Sequence, residues 1–273
     1  MSVITISRQL GSLGAEIARE VAGELHYEYA DKAMVGRIMA DYGIAAPEMD
    51  KFDEKKPPFW DSFSIHRKNF LHFIQMAIYD LARKNRVVIV GRGGQVLLRD
   101  LPGTLHVRIF SPFPVRLRRL MESEGVDERH AGLMIRQSDH DSSGYIKSFF
   151  NADWDDPNLY DLIINTEKLS LKTGMKLIIE ALHSPEIQAG AEMAAEKLAD
   201  LTLVQRTEAK LLEILGDEVW HVEIRAERGV VSLNGAVTSS VKKENCEKAL
   251  AGLEGVKQVK NQLSVIQYYR FAP

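Results

Sequence analysis

The sequence has few of the features that mark several protein classes. It contains one cysteine, Cys246, in 273 residues, which excludes an intramolecular disulfide bond and a zinc site built from several cysteines. No uninterrupted apolar run approaches about 18 residues, so we expect no membrane-spanning helix. The first residues lack a positively charged segment followed by an apolar core, so we expect no signal peptide. These absences predict a cytoplasmic protein.

Net charge is also small. The formal charge is −3 at pH 7, with 45% hydrophobic and 27% charged residues, so the chain has globular composition and no basic excess for nucleic acid. The arginines are nevertheless unevenly placed. Nine of the fourteen arginines in residues 1–184 lie between Arg86 and Arg136, against five acidic residues there. This local excess indicates a small polyanionic ligand.

The first 184 residues alternate β-branched runs with amphipathic patterns. Four runs are short and apolar enough to be buried strands, namely residues 3–6, 87–90, 105–109 and 162–164. Apolar residues at helical spacing separate these runs. In addition, Ser111 and Pro112 resemble a helix start, and Gly125 a helix end. The alternation predicts an α/β fold, with a parallel sheet flanked by helices over residues 1–184.

The rest of the chain shows a different order of patterns. An alanine- and glutamate-rich stretch follows Pro185, and we interpret residues 185–198 as a helical linker. Residues 199–273 then predict a helix ended by Gly216, a hairpin that begins near Trp220, a helix ended by Gly255 and a last strand. This order is typical of a small α+β domain, and the chain length suits two domains.

A glycine-bearing loop, residues 7–17, lies between the first strand and the first helix. Glycines at this place let backbone N–H groups approach a phosphate at the positive end of a helix, although they also suit a tight turn that serves packing alone. The Walker pattern is incomplete, because Gln9 stands at its first glycine and Ala15 at its lysine. The candidate nucleotide-binding residues are Arg8, Gly11, Ser12, Leu13, Gly14 and Ala15.

Later segments favour phosphate binding over packing. Asp31 and Arg37 lie one helix after the loop. Arg92 directly follows a buried strand, and the ligands of open parallel sheets bind at the carboxyl ends of strands. A basic helical arm runs from Arg116 to Asp139. We interpret two of its arginines, Arg118 and Arg129, as solvated surface charges.

The order of five segments resembles a known family. The segments are G-S-L-G-A-E-I-A, Y-A-D-K, V-I-V-G-R-G, R-L-R-R and Y-D-L-I-I-N-T, and together they resemble the cytidylate kinase-like family of P-loop nucleoside monophosphate kinases over about residues 2–182. The resemblance implies a P-loop kinase-type sheet, ATP as phosphoryl donor, Mg²⁺, a small phosphorylated acceptor and a mobile lid. It implies acceptor binding by Asp31, Arg37 and Arg92, and catalytic roles for Arg92, Arg116, Arg119, Arg136 and Asp139.

The chain departs from this family at two positions. Ala15 carries no charge in the phosphate loop, and Ser142 stands three residues after Asp139, where family members tend to have arginine. Loss of both cations removes two charge-assisted contacts to a transferring phosphate. Two functions therefore remain open: a nucleotide kinase, and a catalytically weak or inactive nucleotide-binding regulator. Three side chains are candidates to compensate, namely His140, Lys147 and Arg8.

The sequence identifies neither the acceptor nor a metal site. We expect the acceptor base to contact the segment between Tyr42 and Arg67, which is polar and interrupted by prolines. The histidines show no metal-ligand spacing. The carboxylates of Asp153, Asp155 and Asp156 are interpreted as a solvated turn rather than as metal ligands.

The C-terminal region resembles a BON domain. The resemblance rests on V-V-S-L-N-G-A-V followed by G-V-K-Q-V-K-N-Q-L, and it covers about residues 199–267. Such domains are tied to binding and carry no catalytic signature, so the resemblance implies a small ligand, a lipid or another subunit as partner. A third reading makes this region the functional one and the first domain a degraded scaffold.

Overall fold

The computed structural model describes residues 2–41 and 65–266. Most of the segment expected to contact the acceptor base, residues 42–64, lies outside the described residues. The chain divides between Ala195 and Glu196 into two compact units. None of the helices in the described ranges is long and apolar enough to cross a membrane.

The first unit contains a five-stranded sheet in which every neighbouring pair is parallel. The strands are β1 (Val3–Arg8), β2 (Glu28–Ala30), β3 (Val87–Val90), β4 (Thr104–Phe110) and β5 (Leu162–Asn165). Their order is β2-β3-β1-β4-β5. Because β1 and β3 are adjacent and parallel, the loops that follow them leave the same edge of the sheet. The predicted parallel sheet is confirmed.

This unit contains a short 3₁₀ helix (Pro157–Leu159) and, wholly within it, seven α-helices of the described residues. They are α1 (Gly14–Leu25), α2 (Lys32–Asp41), α3 (Ile65–Lys84), α4 (Gly94–Leu97), α5 (Phe113–Glu124), α6 (Glu128–Phe150) and α7 (Leu171–Leu182). Strands and helices alternate along the chain, as the sequence pattern predicts. The two positions that the resemblance assigns to a lid, Arg136 and Asp139, lie in α6, a continuous helix of 23 residues.

The main core lies between the sheet and two helices. Every residue of β3 is buried, and β1 is buried except at Arg8. The apolar stripe of α1, including Ile17 and Val21, packs with the stripe of α7, including Ile178 and Leu182, over this sheet. Burying the β-branched strands on both faces therefore fixes where the loops at the strand ends can lie.

The start of α5 differs from the sequence prediction by one residue. Pro112, not Ser111, is the N-cap residue, and no side chain caps the helix. The predicted end is confirmed, because Gly125 adopts the left-handed conformation at φ 66° and follows the last helical residue. Glycine has no Cβ and therefore adopts this positive φ without a steric clash.

The second unit has a small sheet of its own. Its elements are the residues of α8 (Pro185–Leu215) from Glu196 onward, a 3₁₀ helix (Gly216–His221), β6 (Val222–Glu227), β7 (Val230–Val237), α9 (Ser240–Ala251) and β8 (Gln258–Val265). The sheet order is β6-β7-β8, with β6 antiparallel and β8 parallel to β7. Its core is separate from the main one and includes Leu211, Leu233, Leu250 and Leu263. The predicted α+β composition is confirmed.

Three details of this region differ from expectation. The stretch after Pro185 and the next predicted helix form one helix, α8, because nothing in their sequence interrupts it. Trp220 belongs to the 3₁₀ helix rather than to the first strand. Helix α9 ends at Ala251 with Gly252 as its C-cap, whereas Gly255, at φ 93°, lies in the turn before β8.

Candidate functional site

The glycine loop between β1 and α1 has a left-handed backbone at two positions. Gly11 has φ 77° and Leu13 has φ 62°. A Cβ on Gly11 would lie 3.0 Å from the backbone oxygen of Arg116, so this glycine permits a close approach to α5. No side chain caps the N-terminus of α1. The first turn of that helix is therefore built to present backbone N–H groups to an anion.

The side chain of Ser12 holds the loop closed. Ser12 is fully buried, and its Oγ donates to the backbone oxygens of Gln9 and Ile109, at 2.7 and 3.3 Å. The backbone N–H of Gln9 donates to the same Ile109 oxygen at 3.1 Å. The hydroxyl of Ser12 is thus engaged in bracing the loop against β4.

Arg119 and Thr166 connect the loop to the end of β5. Arg119 donates from Nη1 to Thr166 Oγ1 at 3.1 Å and from Nη2 to the Thr166 backbone oxygen at 2.6 Å. Thr166 is fully buried, and its Oγ1 donates to the backbone oxygen of Ser12 at 2.8 Å. Arg119 Nη1 also lies 3.4 Å from the Gly11 oxygen. This arginine stabilises the backbone of the loop.

Arg116 joins the loop to helix α6. Its Nη1 and Nη2 donate to the two carboxylate oxygens of Asp139 at 3.0 and 2.8 Å. Its Nε donates to the Ser111 oxygen at 3.0 Å, and Nη1 also reaches the Leu10 oxygen at 3.4 Å. Because Arg116 is only 4% exposed, this two-point pair is largely shielded from water.

The segment after β3 is a second unusual loop at the same edge of the sheet. Gly91, Arg92 and Gly93 have φ values of 75°, 58° and 73° in succession. A Cβ on Gly93 would lie 2.3 Å from the Phe150 ring, which shows that the end of α6 packs directly on this loop. Arg92 is 7% exposed. A buried arginine in a left-handed backbone is held there by the surrounding structure.

Two cavities lie side by side at this edge. The first, which we call the loop cavity, has a volume of about 200 Å³ and is lined by the glycine loop together with Glu16, Ser138 and Ser142. The second, the arginine cavity, has a volume of about 20 Å³ and is lined by Arg92. Two residues line both cavities, namely Arg8 and Ser142.

Charged groups surround the phenol of Tyr29 on β2. Burial raises the pKa of the Tyr29 phenol, the charge of Arg19 opposes this rise, Asp31 adds to it, and weaker effects come from Arg8 and Glu16. The Arg19 guanidinium lies 5.3 Å from the centre of the Tyr29 ring. The carboxylates and arginines that act on Tyr29 are therefore within electrostatic reach of one another.

A buried cation supports the end of β1 from the other side. Arg108 donates to Ser7 Oγ at 2.9 Å and to the Asp155 carboxylate at 2.7 Å. Its guanidinium lies 3.6 Å from the Trp154 ring centre, and Trp154 Nε1 also donates to Ser7 Oγ at 2.9 Å. Burial lowers the pKa of Arg108 and raises that of Tyr160 beside it. The cluster fixes Ser7, which lines the arginine cavity.

The comparison with protein families decides the assignment. The model of the cytidylate kinase-like family matches residues 3–168. The chain belongs to the cytidylate kinase-like family. A BON domain model matches residues 204–267, so the C-terminal resemblance is confirmed as well.

Curated relatives agree with this family. The chain is 26% identical over 180 residues to a cytidylate kinase of Pyrococcus horikoshii, with 66% of this chain and 86% of the relative covered. It is 25% identical over 184 residues to a cytidylate kinase of Staphylothermus marinus, with 67% and 97% covered. A crystal structure of an uncharacterized protein from Eubacterium ventriosum has a TM-score of 0.55 and 23% identity, covering 67% of this chain and 99% of that one. That likeness concerns the fold.

The three positions that the family resemblance assigns to acceptor binding differ in whether they line a cavity. Arg92 lines the arginine cavity. Asp31 caps α2, because its Oδ1 accepts from the Met34 amide at 3.0 Å. Arg37 is exposed on α2 and lines neither cavity. The structure thus places Arg92 in the cavity beside the glycine loop and Arg37 in neither cavity.

Helix α6 carries the positions that the resemblance assigns to a lid. Asp139 meets Arg116, and Ser142 lines both cavities. Arg136 is exposed, lies 5.1 Å from the Phe113 ring centre and lines a separate cavity of about 300 Å³ between α5 and α6. Arg136 is therefore not brought to the glycine loop in this structure.

The three candidate compensating side chains also separate. Arg8 lines both cavities, whereas His140 and Lys147 are exposed on α6 and line neither. Among residues 2–41 and 65–266, no group of three or more His, Cys, Asp or Glu side chains is placed to hold a metal ion. Glu16 is a carboxylate that lines the loop cavity.

Sequence reasoning missed three residues of this site. Thr166 lies in the Asn-Thr pair of the last family segment, and its buried hydroxyl shows that this pair braces the loop. Ser7 and Arg108 lie on β1 and β4, directly opposite each other. The usable signal was an arginine within an apolar strand, because a buried cation needs partners on neighbouring elements.

Proposed function

We propose that this member of the cytidylate kinase-like family is a nucleoside monophosphate kinase that transfers the γ-phosphoryl group of ATP to a small phosphorylated, cytidylate-like acceptor. The donor binds at the glycine loop and the acceptor phosphate at Arg92. The observation that carries the proposal is the pair of adjacent cavities at one edge of the sheet, which share Arg8 and Ser142. Ligands of open parallel sheets bind at this edge.

The donor side is supported by the local backbone. The start of α1 has no side-chain cap, and Gly11 and Leu13 are left-handed residues of a loop that lines the loop cavity. Backbone N–H groups and the helix dipole together favour phosphate oxygens. Arg116 and Arg119 hold the carbonyl side of this loop, so that its amide side is kept in place for a triphosphate.

The acceptor side follows from the chemistry of Arg92. A guanidinium binds phosphate through two parallel hydrogen bonds, and burial strengthens such contacts. An oxygen of the acceptor phosphate attacks the γ-phosphorus, a new P–O bond forms, and the bond to the β,γ-bridging oxygen breaks. The electron pair leaves with ADP, and no proton transfer is needed because the acceptor is already an anion.

The residues present fit a magnesium ion that arrives with the nucleotide. Mg²⁺ in such sites is bound by one or two carboxylates, by water and by substrate phosphates. Glu16 supplies one carboxylate in the loop cavity. Ser12 does not line this cavity, and its hydroxyl donates to the Gln9 backbone oxygen. When bound, the ion would neutralise charge that develops on the phosphate oxygens.

Helix α6 serves to exclude water from the transfer. Ser138, Ser142 and Tyr145 of this helix line the two cavities, and Asp139 fastens it to Arg116. Shielding of a transferring phosphoryl group prevents hydrolysis of ATP in place of transfer.

The proposal is tested by ADP release with ATP, Mg²⁺ and a panel of nucleoside monophosphates that begins with cytidine monophosphate. We expect release above the acceptor-free rate with at least one monophosphate. No release above that rate with every acceptor would contradict an enzymatic function.

A second function is favoured by a specific observation. Neither Ala15 nor Ser142 supplies a cation to the cavities that they line, and Arg116 is engaged with Asp139. These contacts suit a regulator that binds nucleotide without turnover. Calorimetry that detects ATP binding beside a silent ADP-release assay would favour this alternative, and rapid turnover would exclude it.

We further propose that residues 196–273 form a separate binding module, for a small ligand, a lipid or another subunit. The support is a core drawn from this region, which includes Leu203, Val231 and Leu263. The isolated region should unfold in one cooperative transition. Its binding to anionic lipid vesicles, nucleotides or the first unit can then be measured directly, and an unfolded isolated region would contradict the proposed module.

A further inference from the structure

Two positions that the family resemblance associates with phosphate-binding cations are neutral in this chain. Ala15 is the second residue of α1, and Ser142 lies near the middle of α6. Both line the loop cavity. A triphosphate in this cavity would have the backbone amides but no cation from either position, and phosphoryl transfer depends strongly on positive charge around the γ-phosphate.

The other arginines near the glycine loop face its carbonyl groups rather than the cavity. Arg116 and Arg119 donate to the backbone oxygens of Leu10 and Gly11, and neither lines the loop cavity. Within the described part of the chain, Arg8 is the only Lys or Arg that lines the loop cavity, and Arg8 and Arg92 are the only ones that line the arginine cavity.

The geometry of Gly14 places the Arg8 side chain beside the missing lysine position. A Cβ on Gly14 would lie 2.4 Å from Arg8 Cβ and 3.1 Å from Arg8 Cγ. The stem of Arg8 therefore lies directly against the residue that precedes Ala15. Any larger residue at position 14 would displace this stem, so the glycine is required for the Arg8 side chain to lie along the start of α1.

We propose that Arg8 contacts the phosphoryl group in transfer and supplies the positive charge that Ala15 does not. This inference rests on the proposed kinase function. Arg8 lines both cavities, so this residue lies at the boundary that the γ-phosphoryl group crosses between donor and acceptor. The same bond to the β,γ-bridging oxygen breaks, the same bond to the acceptor forms, and Arg8 neutralises the transferring oxygens without exchanging a proton, because arginine stays protonated.

The test moves the charge from one position to the other. Arg8→Gln removes the cation, and Ala15→Lys restores a cation at the position that resembles the family lysine. Arg118→Gln is the matched control, because Arg118 is exposed and lines neither cavity. Nucleoside diphosphate formation and ATP affinity by calorimetry are measured for each variant, and thermal unfolding identifies the variants that fold.

We expect Arg8→Gln to lower kcat by about 100-fold, the usual effect of removing one such donor, with Arg118→Gln within about twofold of the unchanged chain. The double variant Arg8→Gln/Ala15→Lys should recover at least about tenfold of the loss. If Arg8→Gln does not fold, Arg8→Lys keeps the stem and a charge, and its kcat should fall by about tenfold because one point charge replaces the planar fork.

The outcomes separate the inference from the function on which it rests. One outcome is that the unchanged chain turns over and the kcat of Arg8→Gln equals that of Arg118→Gln. If Arg8→Gln does not fold, the same comparison is made with Arg8→Lys. Equal kcat values would overturn the role of Arg8 and leave the kinase proposal standing. ATP binding without turnover would overturn the kinase proposal. In that case an ATP affinity at least about tenfold weaker in the Arg8 variant than in Arg118→Gln would still support Arg8 as the phosphate cation, and equal affinities would overturn it. No ATP binding at all would overturn both.

Discussion

The guanidinium of Arg116 and the carboxylate of Asp139 form a two-point ion pair, with N–O distances of 3.0 and 2.8 Å. This pair connects α5, which carries Arg116, to the middle of α6, which carries Asp139. Since Arg116 also donates to Ser111 and Leu10, one side chain contacts both α6 and the glycine loop.

Asp139→Asn should destabilise the protein. The side chain of Arg116 is 5% exposed and that of Asp139 29% exposed, so removal of the carboxylate charge leaves a largely buried cation with weaker partners. We expect the free energy of unfolding to fall by about 2–3 kcal/mol, below the roughly 3–5 kcal/mol of a fully buried pair. Urea unfolding measures the change.

The control for this prediction is Asp141→Asn on the same helix. Asp141 accepts one hydrogen bond from Gln137 at 3.0 Å, at the surface. Its substitution should change the free energy of unfolding by less than about 0.5 kcal/mol. Equal effects of the two substitutions would show that the Arg116 pair does not hold α6.

Arg92→Ala should impair turnover more than it impairs folding. If Arg92 binds the acceptor phosphate, its removal should lower kcat/KM at least tenfold, which corresponds to about 1.4 kcal/mol. The loss should appear with the acceptor concentration varied, while the affinity for ATP alone changes little. The ADP-release assay and calorimetry together make this distinction, and an unchanged kcat/KM would show that the acceptor site lies elsewhere.

Gly93→Ala should separate the end of α6 from the loop that carries Arg92. The new Cβ would lie 2.3 Å from the Phe150 ring, in a backbone at φ 73°. The strained backbone costs roughly 1–2 kcal/mol and displacement of the ring adds to it, so we expect a loss of about 2–3 kcal/mol in unfolding free energy. The double variant with Phe150→Ala should lose less than the sum of the single changes.

Gly23→Ala is the matched control for the glycine substitution. Gly23 lies within α1, and a Cβ there would meet nothing within 4 Å. Alanine should stabilise this helix by roughly 0.5–1 kcal/mol. A Gly93→Ala variant as stable as the unchanged chain would contradict the packing of Phe150 on the loop.

The buried imidazole of His106 predicts a dependence of stability on pH. Burial lowers the pKa of His106 below its usual 6.5, while Asp161 opposes the shift. Its Nδ1 lies 2.7 Å from Thr5 Oγ1. Because the unfolded chain binds the proton more readily, this contribution is complete above about pH 6.5 and is lost as pH falls below that value toward the folded pKa.

The measurement compares the unchanged chain with His106→Asn in urea at about pH 7.5 and about pH 5.5. The unchanged chain should lose more free energy of unfolding between these values than the variant does. Equal losses would mean that His106 titrates alike in the folded and unfolded chains.

The sequence predicted the parallel sheet and its order of elements because the strands are β-branched runs buried on both faces, with helical spacing between them. It placed Arg92 correctly at a strand end for the same reason. It did not separate Arg116 from Arg136, because both are arginines on helices at similar spacing. Only the packing of α5 against α6 turns Arg116 toward Asp139 and Arg136 toward Phe113.

The bracing of the glycine loop was also beyond sequence reasoning. Thr166 contacts Ser12 across 154 positions of the chain, and Ser7 contacts Trp154 across 147. Such contacts follow from the alignment of β1, β4 and β5 and have no local pattern. The sequence predicted a helical arm up to Asp139, but it did not predict that this helix continues to Phe150.

The central claim is transfer of a phosphoryl group between two nucleotides. Phosphorus NMR of the chain with ATP, Mg²⁺ and the monophosphate panel observes it directly. The kinase proposal predicts that resonances of an acceptor diphosphate appear in step with those of ADP. ATP that binds but stays intact, or ADP that forms with inorganic phosphate and no acceptor diphosphate, would contradict it.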